Sequence, residues 1–515
     1  MSIRHLIAGA AMVLALNACH APPHAATGYD AALSELKAGV SVADLQAHIK
    51  AGTYTSVDLT QAALDQIKAK NGELHAVITV NPDALKRAQE SDDARKAGKD
   101  LGPLMGIPVL IKDNIETADI MPTTAGSMAL VANITHRDAP VVARLRAGGA
   151  IILGKANLSE WANIRSTHSV SGWSGVGGLT ANAVDHARTA CGSSSGSGAG
   201  VAAGLAPLAV GTETDGSVTC PSSMNGLAGL KPTVGLVSRT YVVPISHSQD
   251  TPGPMGRSVA DIAAMLTVMA GSDPADTATA EADSHKTDYT AGLVGYSLKG
   301  VRVGVLRDQV GNDAKTTAVF EAALKQLTEQ GAVLVDIRDS SLPNYGNEEL
   351  DVMMYELKAD LNAYLATTPS AVKTRTLADV IAFNKANAAQ EMPYFGQELF
   401  ERAEATKGLS DPVYLKAATL KSRAAARLDG LMKDNNVTVL VAPTYGPAWL
   451  SDLVYGDQYT GPSSTSLPAI SGYPHLTVPM GKVQALPVGL SFIGPKWSEA
   501  MLLKTGYAFE QGRKR

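Results

Sequence analysis

Three parts of the chain carry residue types that could perform acyl-transfer chemistry. Residues 192–200 are only glycine, serine and alanine, and residues 211–217 read Gly-Thr-Glu-Thr-Asp-Gly-Ser. Lys112 stands at the end of the apolar run 107–111. Glycine permits backbone conformations and close approaches that other residues cannot make. A glycine-serine run that continues into apolar sequence is not typical of a flexible linker.

A lysine at the end of a buried strand can act as a general base. Its ammonium group would be poorly solvated there, and desolvation lowers the pKa of lysine. A serine hydroxyl becomes an effective nucleophile when such a base accepts its proton. Ser217 follows the turn 214–216, whose consecutive N–H groups could face one oxygen as an oxyanion hole. Each feature alone also has an ordinary explanation, as a surface lysine or a turn serine.

The composition indicates a globular chain. Hydrophobic residues make up 45% of the 515 residues and charged residues 18%, as is typical of globular proteins. The formal net charge of −5 gives no reason to expect a nucleic-acid partner. The 11 histidines show no metal-ligand spacing, and no Cys/His cluster occurs, so we expect no metal site.

The N-terminus predicts export. Residues 1–26 have the features of a signal peptide, because a basic start precedes the apolar run 6–16, which is too short to span a bilayer in a mature protein. Leu-Asn-Ala-Cys at 16–19 resembles a bacterial lipobox. One alternative is therefore a periplasmic lipoprotein anchored through Cys19, and the other is ordinary cleavage at 21–26. No later stretch is long and apolar enough to predict a transmembrane helix.

Two cysteines remain in the mature chain after such processing. Cys191 and Cys220 flank the serine-rich segment. In an exported protein they could be oxidised to a disulfide, or they could remain two packed thiols. The sequence leaves both alternatives open.

The alternation of helical and strand-like segments predicts an α/β layer structure. Residues 27–40 look like a leader with few anchors, and 340–430 look mostly helical. The expected helices are 41–51, 56–70, 82–96, 139–147, 201–206, 258–270, 317–330 and 498–511. The expected strands are 75–80, 107–111, 150–153, 207–210, 301–306, 332–337, 437–442, 476–478 and 488–493.

Motifs that contain the candidate residues follow one another along almost the whole mature chain. They are Gly-Ile-Pro-Val-Leu-Ile-Lys-Asp-Asn at 106–114, Thr-Thr-Ala-Gly-Ser at 123–127, Gly-Lys-Ala-Asn-Leu-Ser-Glu at 154–160, Cys-Gly-Ser-Ser-Ser-Gly-Ser at 191–197, Gly-Thr-Glu-Thr-Asp-Gly-Ser at 211–217, Gly-Leu-Lys-Pro-Thr at 229–233, Asp-Thr-Pro-Gly-Pro at 250–254 and Leu-Thr-Val-Pro-Met-Gly at 476–481. By these motifs the chain resembles the amidase signature family of Ser-Ser-Lys hydrolases, most closely its bacterial peptide amidases.

The resemblance implies a fold and an activity. The fold is α/β, the amidase signature fold, with a large twisted mixed β-sheet covered by α-helices on both sides. Residues 27–515 would form a single amidase domain, with 272–430 as a more variable helical flank. The activity would be hydrolysis of an amide C–N bond through an acyl-enzyme, without a metal or organic cofactor.

The resemblance also assigns a catalytic triad. Ser217 matches the nucleophile, Ser193 matches a bridging serine that family members hold in a cis peptide, and Lys112 matches the base. A proton would pass from Ser217 through Ser193 to neutral Lys112 and return to the departing amine.

Other residues match supporting positions of the family. Ser194 and Thr212 match hydroxyls that position the lysine and the bridging serine, although plain local hydrogen bonding explains them equally well. The backbone N–H groups that match the oxyanion hole are those of Thr214, Asp215, Gly216 and Ser217.

The chain departs from the family pattern at two positions. Many members carry glycine where this chain has Asp215, so a side chain there could narrow or charge the cleft. Many carry arginine where this chain has Thr219, so a role of that arginine cannot be transferred.

The expected substrate is the C-terminal carboxamide of a peptide. The alternatives are a general small-molecule acylamidase, a glutamine-hydrolysing amidotransferase subunit, and a catalytically silent binding protein on the same scaffold. Trp173, in the glycine-rich loop 171–178, is expected to border the substrate cleft, with loop packing as the alternative. We expect a monomer without a nucleic-acid partner.

Overall fold

A computed structural model describes residues 27–341 and 345–513. The predicted signal peptide lies outside these residues, and so does the choice between lipidation at Cys19 and ordinary cleavage. Among the helices that are described, none has both the length and the apolar character needed to cross a membrane.

A mixed β-sheet forms the centre of the molecule. The strands are β1 Val77–Val80, β2 Pro108–Lys112, β3 Ile151–Ala156, β4 Trp173–Ser174, β5 Gly178–Leu179, β6 Leu208–Glu213, β7 Ala228–Lys231, β8 Thr251–Gly256, β9 Arg302–Leu306, β10 Val333–Ile337, β11 Val439–Pro443, β12 His475–Val483 and β13 Leu486–Ile493. Eleven of them pair in the order β1-β3-β2-β6-β8-β7-β12-β13-β11-β9-β10, and β4 pairs with β5. Strand β2 is parallel to β3 and β6, and β9 is parallel to β10 and β11.

Helices lie on both faces of the sheet, as predicted. They are α1 Gly28–Ala38, α2 Val42–Ala51, α3 Ser56–Leu74, α4 Ala84–Lys96, α5 Pro140–Ala147, α6 Ser195–Ala202, α7 Thr219–Met224, α8 Val259–Met269, α9 Ala282–His285, α10 Ala314–Glu329, α11 Tyr345–Ala366, α12 Leu377–Ala386, α13 Ala388–Glu391, α14 Glu398–Glu404, α15 Pro412–Ala417, α16 Leu420–Asp434, α17 Ser466–Ser471 and α18 Glu499–Arg513. One layer contains α5, α8, α10 and α18, which contact one another, and α6 and α7 contact each other and the strands from a second layer.

The segment 27–40 is a helix and not a leader. Thr27 and Asp30 cap α1 reciprocally, each side chain accepting from the other's backbone N–H. Ala32 and Leu36 are buried where α1 packs on α3. The expectation of few anchors was wrong because two buried side chains and a cap are enough to fix a helix on a neighbour.

The glycine-serine run begins the helix that was expected after it. Helix α6 spans Ser195–Ala202, whereas the sequence predicted a helix at 201–206. A Cβ on Gly196 would lie 2.2 Å from the Ala76 carbonyl oxygen and 2.5 Å from the Asn157 nitrogen. Glycine is therefore needed because the helix packs directly on neighbouring backbone, which compensates for its poor intrinsic helix propensity.

The neighbouring strands β2 and β6 bring the candidate residues together. Ile111 pairs with Val210, so Lys112 ends β2 beside the last residues of β6. Strand β6 also continues to Glu213, past the predicted end at residue 210. The residues that follow β6 and the loop before α6 thus meet the end of β2.

Candidate active site

Lys112 is fully buried at the end of β2. Its Nζ donates to Ser193 Oγ at 2.8 Å, to Thr212 Oγ1 at 2.8 Å and to the Thr212 carbonyl oxygen at 3.2 Å. Burial lowers the pKa of Lys112 to about 7, and the negative charges of Asp250 and Glu213 oppose that shift. A substantial fraction of this lysine is therefore a neutral amine near neutral pH.

Ser193 lies at the entry to α6. The peptide bond between Gly192 and Ser193 is cis. The next residue, Ser194, ties this loop to β6, because its Oγ donates to the Thr212 carbonyl at 3.1 Å and accepts from the Thr212 N–H at 3.2 Å. Ser194 and Thr212 thus both contact the surroundings of Lys112, and Thr212 contacts the lysine itself.

Ser217 follows β6 on a loop that is fixed at both ends. The Ser194 N–H donates to the Ser217 carbonyl at 3.1 Å, and the Glu213 carboxylate accepts from the N–H groups of Val218 and Thr219 at 2.8 and 2.9 Å. Ser217 is 8% exposed, so its hydroxyl lies at the edge of the buried centre. The structure does not join Ser217 Oγ to Ser193 Oγ, or to any other described side chain, by a hydrogen bond.

The backbone of this loop presents unpaired donors. Among the described residues, no acceptor receives a hydrogen bond from the N–H groups of Thr214, Asp215, Gly216 or Ser217. Gly216 has φ of +78°, and a Cβ there would lie 2.5 Å from the Tyr445 hydroxyl oxygen. Only glycine fits this position, and the loop conformation leaves its N–H groups able to bind an oxyanion.

Two polar residues beside Lys112 were not predicted as site residues. Asn114 Nδ2 donates to Thr212 Oγ1 at 3.0 Å, which orients the hydroxyl that Lys112 contacts. Asp250 accepts from Thr214 Oγ1 at 2.7 Å and from the N–H groups of Ile245 and Ser246. Burial raises the pKa of Asp250 to about 6. Both residues belong to the matched motifs, and polar residues at the ends of apolar strands were the signal that could have indicated them.

A buried ion pair supports the other side of β2. Lys155 Nζ lies 3.2 Å from an oxygen of Asp113, the residue after Lys112. The same ammonium donates to the Ile115 carbonyl and to Thr123 Oγ1. Burial lowers the pKa of Lys155 and raises that of Asp113, and the attraction between the two charges opposes both shifts.

The side chains at the two departures from the family pattern have partners other than Lys112. Asp215 Oδ2 accepts from Ser466 Oγ at 2.8 Å, and the Asp215 carboxyl also contacts that of Glu349. Thr219 Oγ1 donates to the Glu213 carboxylate at 3.2 Å. Asp215 is therefore held behind the loop.

A disulfide joins the two cysteines that the sequence left open. Cys191 and Cys220 are bonded across a sequence separation of 29 residues. Cys191 precedes Ser193 by two positions, and Cys220 follows Ser217 by three. The bond therefore links the loop of Ser193 covalently to the helix that follows Ser217.

A cleft of about 430 Å³ opens beside Thr212 and Thr214. The segment 241–245 forms its apolar wall, and Arg239, His247 and Asp360 lie along its rim. This volume is within the range of about 300–1,000 Å³ that is usual for ligand sites.

Trp173 packs against the helical flank, which is the alternative that the sequence left open. It is 5% exposed and does not line this cleft. Its ring packs edge-on against Phe395 and Tyr394, at centroid distances of 5.3 and 5.6 Å. The structure therefore places Trp173 in packing between its loop and the helical flank, because a large apolar ring gains more from burial than from a polar cleft edge.

A buried lysine, two serine-bearing loops and backbone N–H groups without acceptors lie together at the ends of β2 and β6, an arrangement suited to a hydrolytic enzyme. Comparison with known proteins agrees with this class. The Amidase family model matches residues 58–503. The chain belongs to the Amidase family and is an amide-hydrolysing enzyme.

Three relatives show how this chain compares with members of the family. The solved peptide amidase of Stenotrophomonas maltophilia has a TM-score of 0.88 and 48% identity, covering 92% of this chain and 96% of that chain. A probable amidase of Arabidopsis thaliana is 38% identical over 92% of this chain and 89% of its own length. A glutamyl-tRNA(Gln) amidotransferase subunit of Chloroflexus aurantiacus is 35% identical over 92% of this chain and 96% of its own length.

Proposed function

We propose that this protein hydrolyses the C-terminal carboxamide of peptides through a Ser217 acyl-enzyme. In this proposal Ser193 bridges the nucleophile to Lys112, which is the general base. The backbone N–H groups of residues 214–217 form the oxyanion hole.

The observation that carries the proposal is the contact of Lys112 with Ser193. Lys112 Nζ, a fully buried amine with a pKa of about 7, lies 2.8 Å from Ser193 Oγ. The Ser194 N–H donates to the Ser217 carbonyl, which holds the loop of Ser193 next to Ser217. In this proposal, the hydrogen bond between the Ser193 and Ser217 hydroxyls forms when the substrate is bound. Catalytic hydrogen bonds commonly tighten only in the substrate complex.

The proposed reaction proceeds in two halves. Ser217 Oγ attacks the carboxamide carbon while its proton passes to Ser193, whose own proton passes to neutral Lys112. The loop N–H groups stabilise the resulting oxyanion. The lysine then returns a proton through Ser193 to the departing nitrogen, ammonia leaves, and the C–N bond is replaced by the Ser217 ester. Water then attacks the ester carbon and gives a proton through Ser193 to Lys112. The lysine returns a proton through Ser193 to Ser217 Oγ, and the peptide acid is released.

The peptide substrate is supported by the 48% identity to a peptide amidase, which covers nearly both chains. Two alternatives differ in substrate. The first is a general small-molecule acylamidase with the same triad. The second is a glutamine-hydrolysing amidotransferase subunit, which the Chloroflexus aurantiacus relative supports.

A substrate panel separates these alternatives. Ammonia release is measured with peptide amides, the corresponding free acids, simple aliphatic and aryl amides, and glutamine. We expect the peptide amides to give the highest kcat/KM, and Ser217→Ala to lower ammonia release by about 10³-fold or more. Ser284→Ala, which changes an exposed serine on α9, is the matched control. Equal turnover by Ser217→Ala and wild type would refute the acyl-enzyme.

We further propose that the protein acts in the periplasm after removal of the signal peptide, as a monomer. Fractionation of cells that produce wild type or Cys19→Ser tests both location and lipid anchoring. A soluble periplasmic wild type would exclude the anchor, and a cytoplasmic protein would exclude export. Gel filtration gives the oligomeric state.

A further inference from the structure

Two acidic side chains that interact with each other, Asp215 and Glu349, lie at residues 214–217, the loop proposed above to bind the oxyanion and called the oxyanion loop below. Asp215 is part of that loop, and Glu349 is an almost fully buried residue of α11, 6% exposed. The two carboxyl groups contact each other, and the relay from Ser217 to Lys112 uses neither of them.

The hydrogen bonds around these two carboxyl groups leave one carboxylate oxygen without a hydrogen bond of normal geometry. Asp215 Oδ2 accepts from Ser466 Oγ at 2.8 Å, and Glu349 Oε1 accepts from Gln249 Nε2 at 2.9 Å. Asp215 Oδ1 is buried and has no hydrogen bond of normal geometry within the described residues, although the Thr465 hydroxyl also interacts with this carboxyl group. A buried carboxylate oxygen without a donor is costly, so a proton held between the carboxyl groups would supply the missing bond.

The surroundings of both carboxyl groups oppose their ionisation, because burial raises the pKa of each. Burial raises the pKa of Glu349 well above its ordinary value, and the neighbouring Asp215 raises it further. The same physics keeps one proton on any closely spaced carboxyl pair. A pair that shares one proton would carry a single negative charge, whereas two charges would repel each other and the developing oxyanion.

The geometry points to Glu349 as a positioning residue for the oxyanion loop: its protonated carboxyl donates to Asp215 and thereby fixes residues 214–217. This inference rests on the role proposed above for that loop. It also gives the aspartate that replaces the family's frequent glycine a partner. Without the proton, the pair would repel and the loop would face a second negative charge.

The inference predicts a specific effect on the alkaline side of the pH profile. Loss of the shared proton should lower kcat as pH rises, because the extra negative charge opposes oxyanion formation. The other titratable groups that face the pair are Lys231, Glu213, Tyr445 and Tyr459. They remain unchanged in a Glu349 variant, so a comparison of variant and wild type isolates the pair.

Glu349→Gln is the decisive variant, because an amide NH₂ can still donate to Asp215 but does not titrate over this range. We expect wild type to lose kcat at alkaline pH, and Glu349→Gln to keep it to higher pH. Glu349→Ala should lower kcat about tenfold at every pH through loss of a buried hydrogen bond. Glu348→Gln is the matched control, because it makes the same change at the preceding residue, whose partner is the partly exposed Arg423.

A double-mutant cycle tests whether Glu349 acts through Asp215. If it does, Glu349→Ala should cost much less in the background of Asp215→Gly than in wild type. The rate at which a serine-reactive phosphonate labels Ser217 is a second readout, since the adduct needs the oxyanion loop but not an amide substrate. The labelling rate should follow the same order among the variants.

The pH dependence of unfolding tests the shared proton without any activity. A carboxyl whose pKa is raised by folding stabilises less as pH rises above its unfolded value of about 4.3. Wild type should therefore lose free energy of unfolding relative to Glu349→Gln as pH increases from about 4 to 8. No such divergence would overturn the shared proton.

The possible failures are distinguishable. Divergence in stability with identical pH profiles and labelling rates would show that the pair exists but does not position the loop, which overturns the inference and leaves the proposed function intact. Absence of amide turnover with intact labelling of Ser217 would overturn the proposed substrate, and the labelling series would still decide the role of Glu349.

Discussion

The reaction centre and the helical flank are held together by different kinds of polar contact. Around Lys112 the polar side chains are buried and bond to one another across neighbouring strands. In the flank 272–430, ion pairs such as Lys385–Glu401 join side chains that are about half exposed. Buried polar groups must be satisfied by fixed partners, whereas exposed ones exchange with water. The polar residues of the centre are therefore constrained more tightly by their partners than the exposed ion pairs of the flank are.

Helix α11 of the flank reaches the buried centre. Helix α11 carries Glu349 against the oxyanion loop, and its Tyr364 hydroxyl bonds to the buried Glu116. Its other polar contacts include the partly exposed pair Arg402–Asp351. A single helix can thus contribute residues to the buried centre and also form the partly exposed ion pairs of the flank.

The largest expected effect is the removal of the base. Lys112→Ala should lower kcat for amide hydrolysis by about 10³-fold, since general bases typically contribute about 10²–10⁴. Lys325→Ala changes an exposed flank lysine and should leave kcat unchanged. Ammonia release near pH 7 measures both. Full turnover by Lys112→Ala would contradict the relay and would leave the centre without its proposed function.

The next largest effect is on stability, at the ion pair behind β2. Lys155→Met removes the partner of Asp113 and should lower the free energy of unfolding by about 3–5 kcal/mol, because an uncompensated charge remains buried. The same change at Lys385 in the flank should cost less than about 1 kcal/mol. Urea titrations of the two variants measure the difference. Equal losses would remove the contrast drawn between the regions.

The disulfide strengthens the centre in a way that the flank lacks. By chain entropy, closing a loop of 29 residues should stabilise the protein by about 3–4 kcal/mol. The double variant Cys191→Ser with Cys220→Ser should be less stable by about that amount, and dithiothreitol should no longer affect it. Urea titration with and without reductant measures both. Unchanged stability of the variant would mean that packing alone holds the two serine loops.

The smallest expected effect is a displacement of the pH profile. Because Lys112 must be neutral to accept a proton, kcat/KM should fall as pH drops through about 7, the pKa of the lysine. The charge of Asp250 raises that pKa, so Asp250→Asn should move the acid limb to lower pH by a fraction of a unit. Initial rates from pH 5 to 9 measure the limb. If the acid limb of the kcat/KM profile moves to higher pH instead, that limb reports the titration of a group other than Lys112.

The candidate residues could be picked out of the sequence because several of them combine into motifs along the chain. A lysine that ends an apolar run is often a surface residue, but the run itself predicted the strand that Lys112 ends. The Amidase family and the mixed sheet with helices on both faces were also predicted, and both are confirmed. The roles of Ser193, Ser217 and the loop N–H groups remain predictions, although the structure brings these residues together.

The parts that sequence patterns missed depend on contacts between distant segments. Strand β8 is central, paired with β6 and β7, but its sequence Thr-Pro-Gly-Pro-Met-Gly contains residues that are rare in strands. Helix α6 begins in a glycine-serine run because tight packing overrides helix propensity. The direction of the Asp215 side chain and the packing of Trp173 depend on partners from α11, α17 and residues 394–395, which no local pattern reveals.

The position of the last strands has a consequence for how the chain acquires its shape. Strands β12 and β13 come from the C-terminal part of the chain, yet in the sheet they join β7 to β11. A growing polypeptide that lacks them holds two separate groups of strands with unpaired edges facing each other. The sheet can close only after synthesis is nearly complete. Until then the two groups of strands stay separate, with the facing edges of β7 and β11 unpaired.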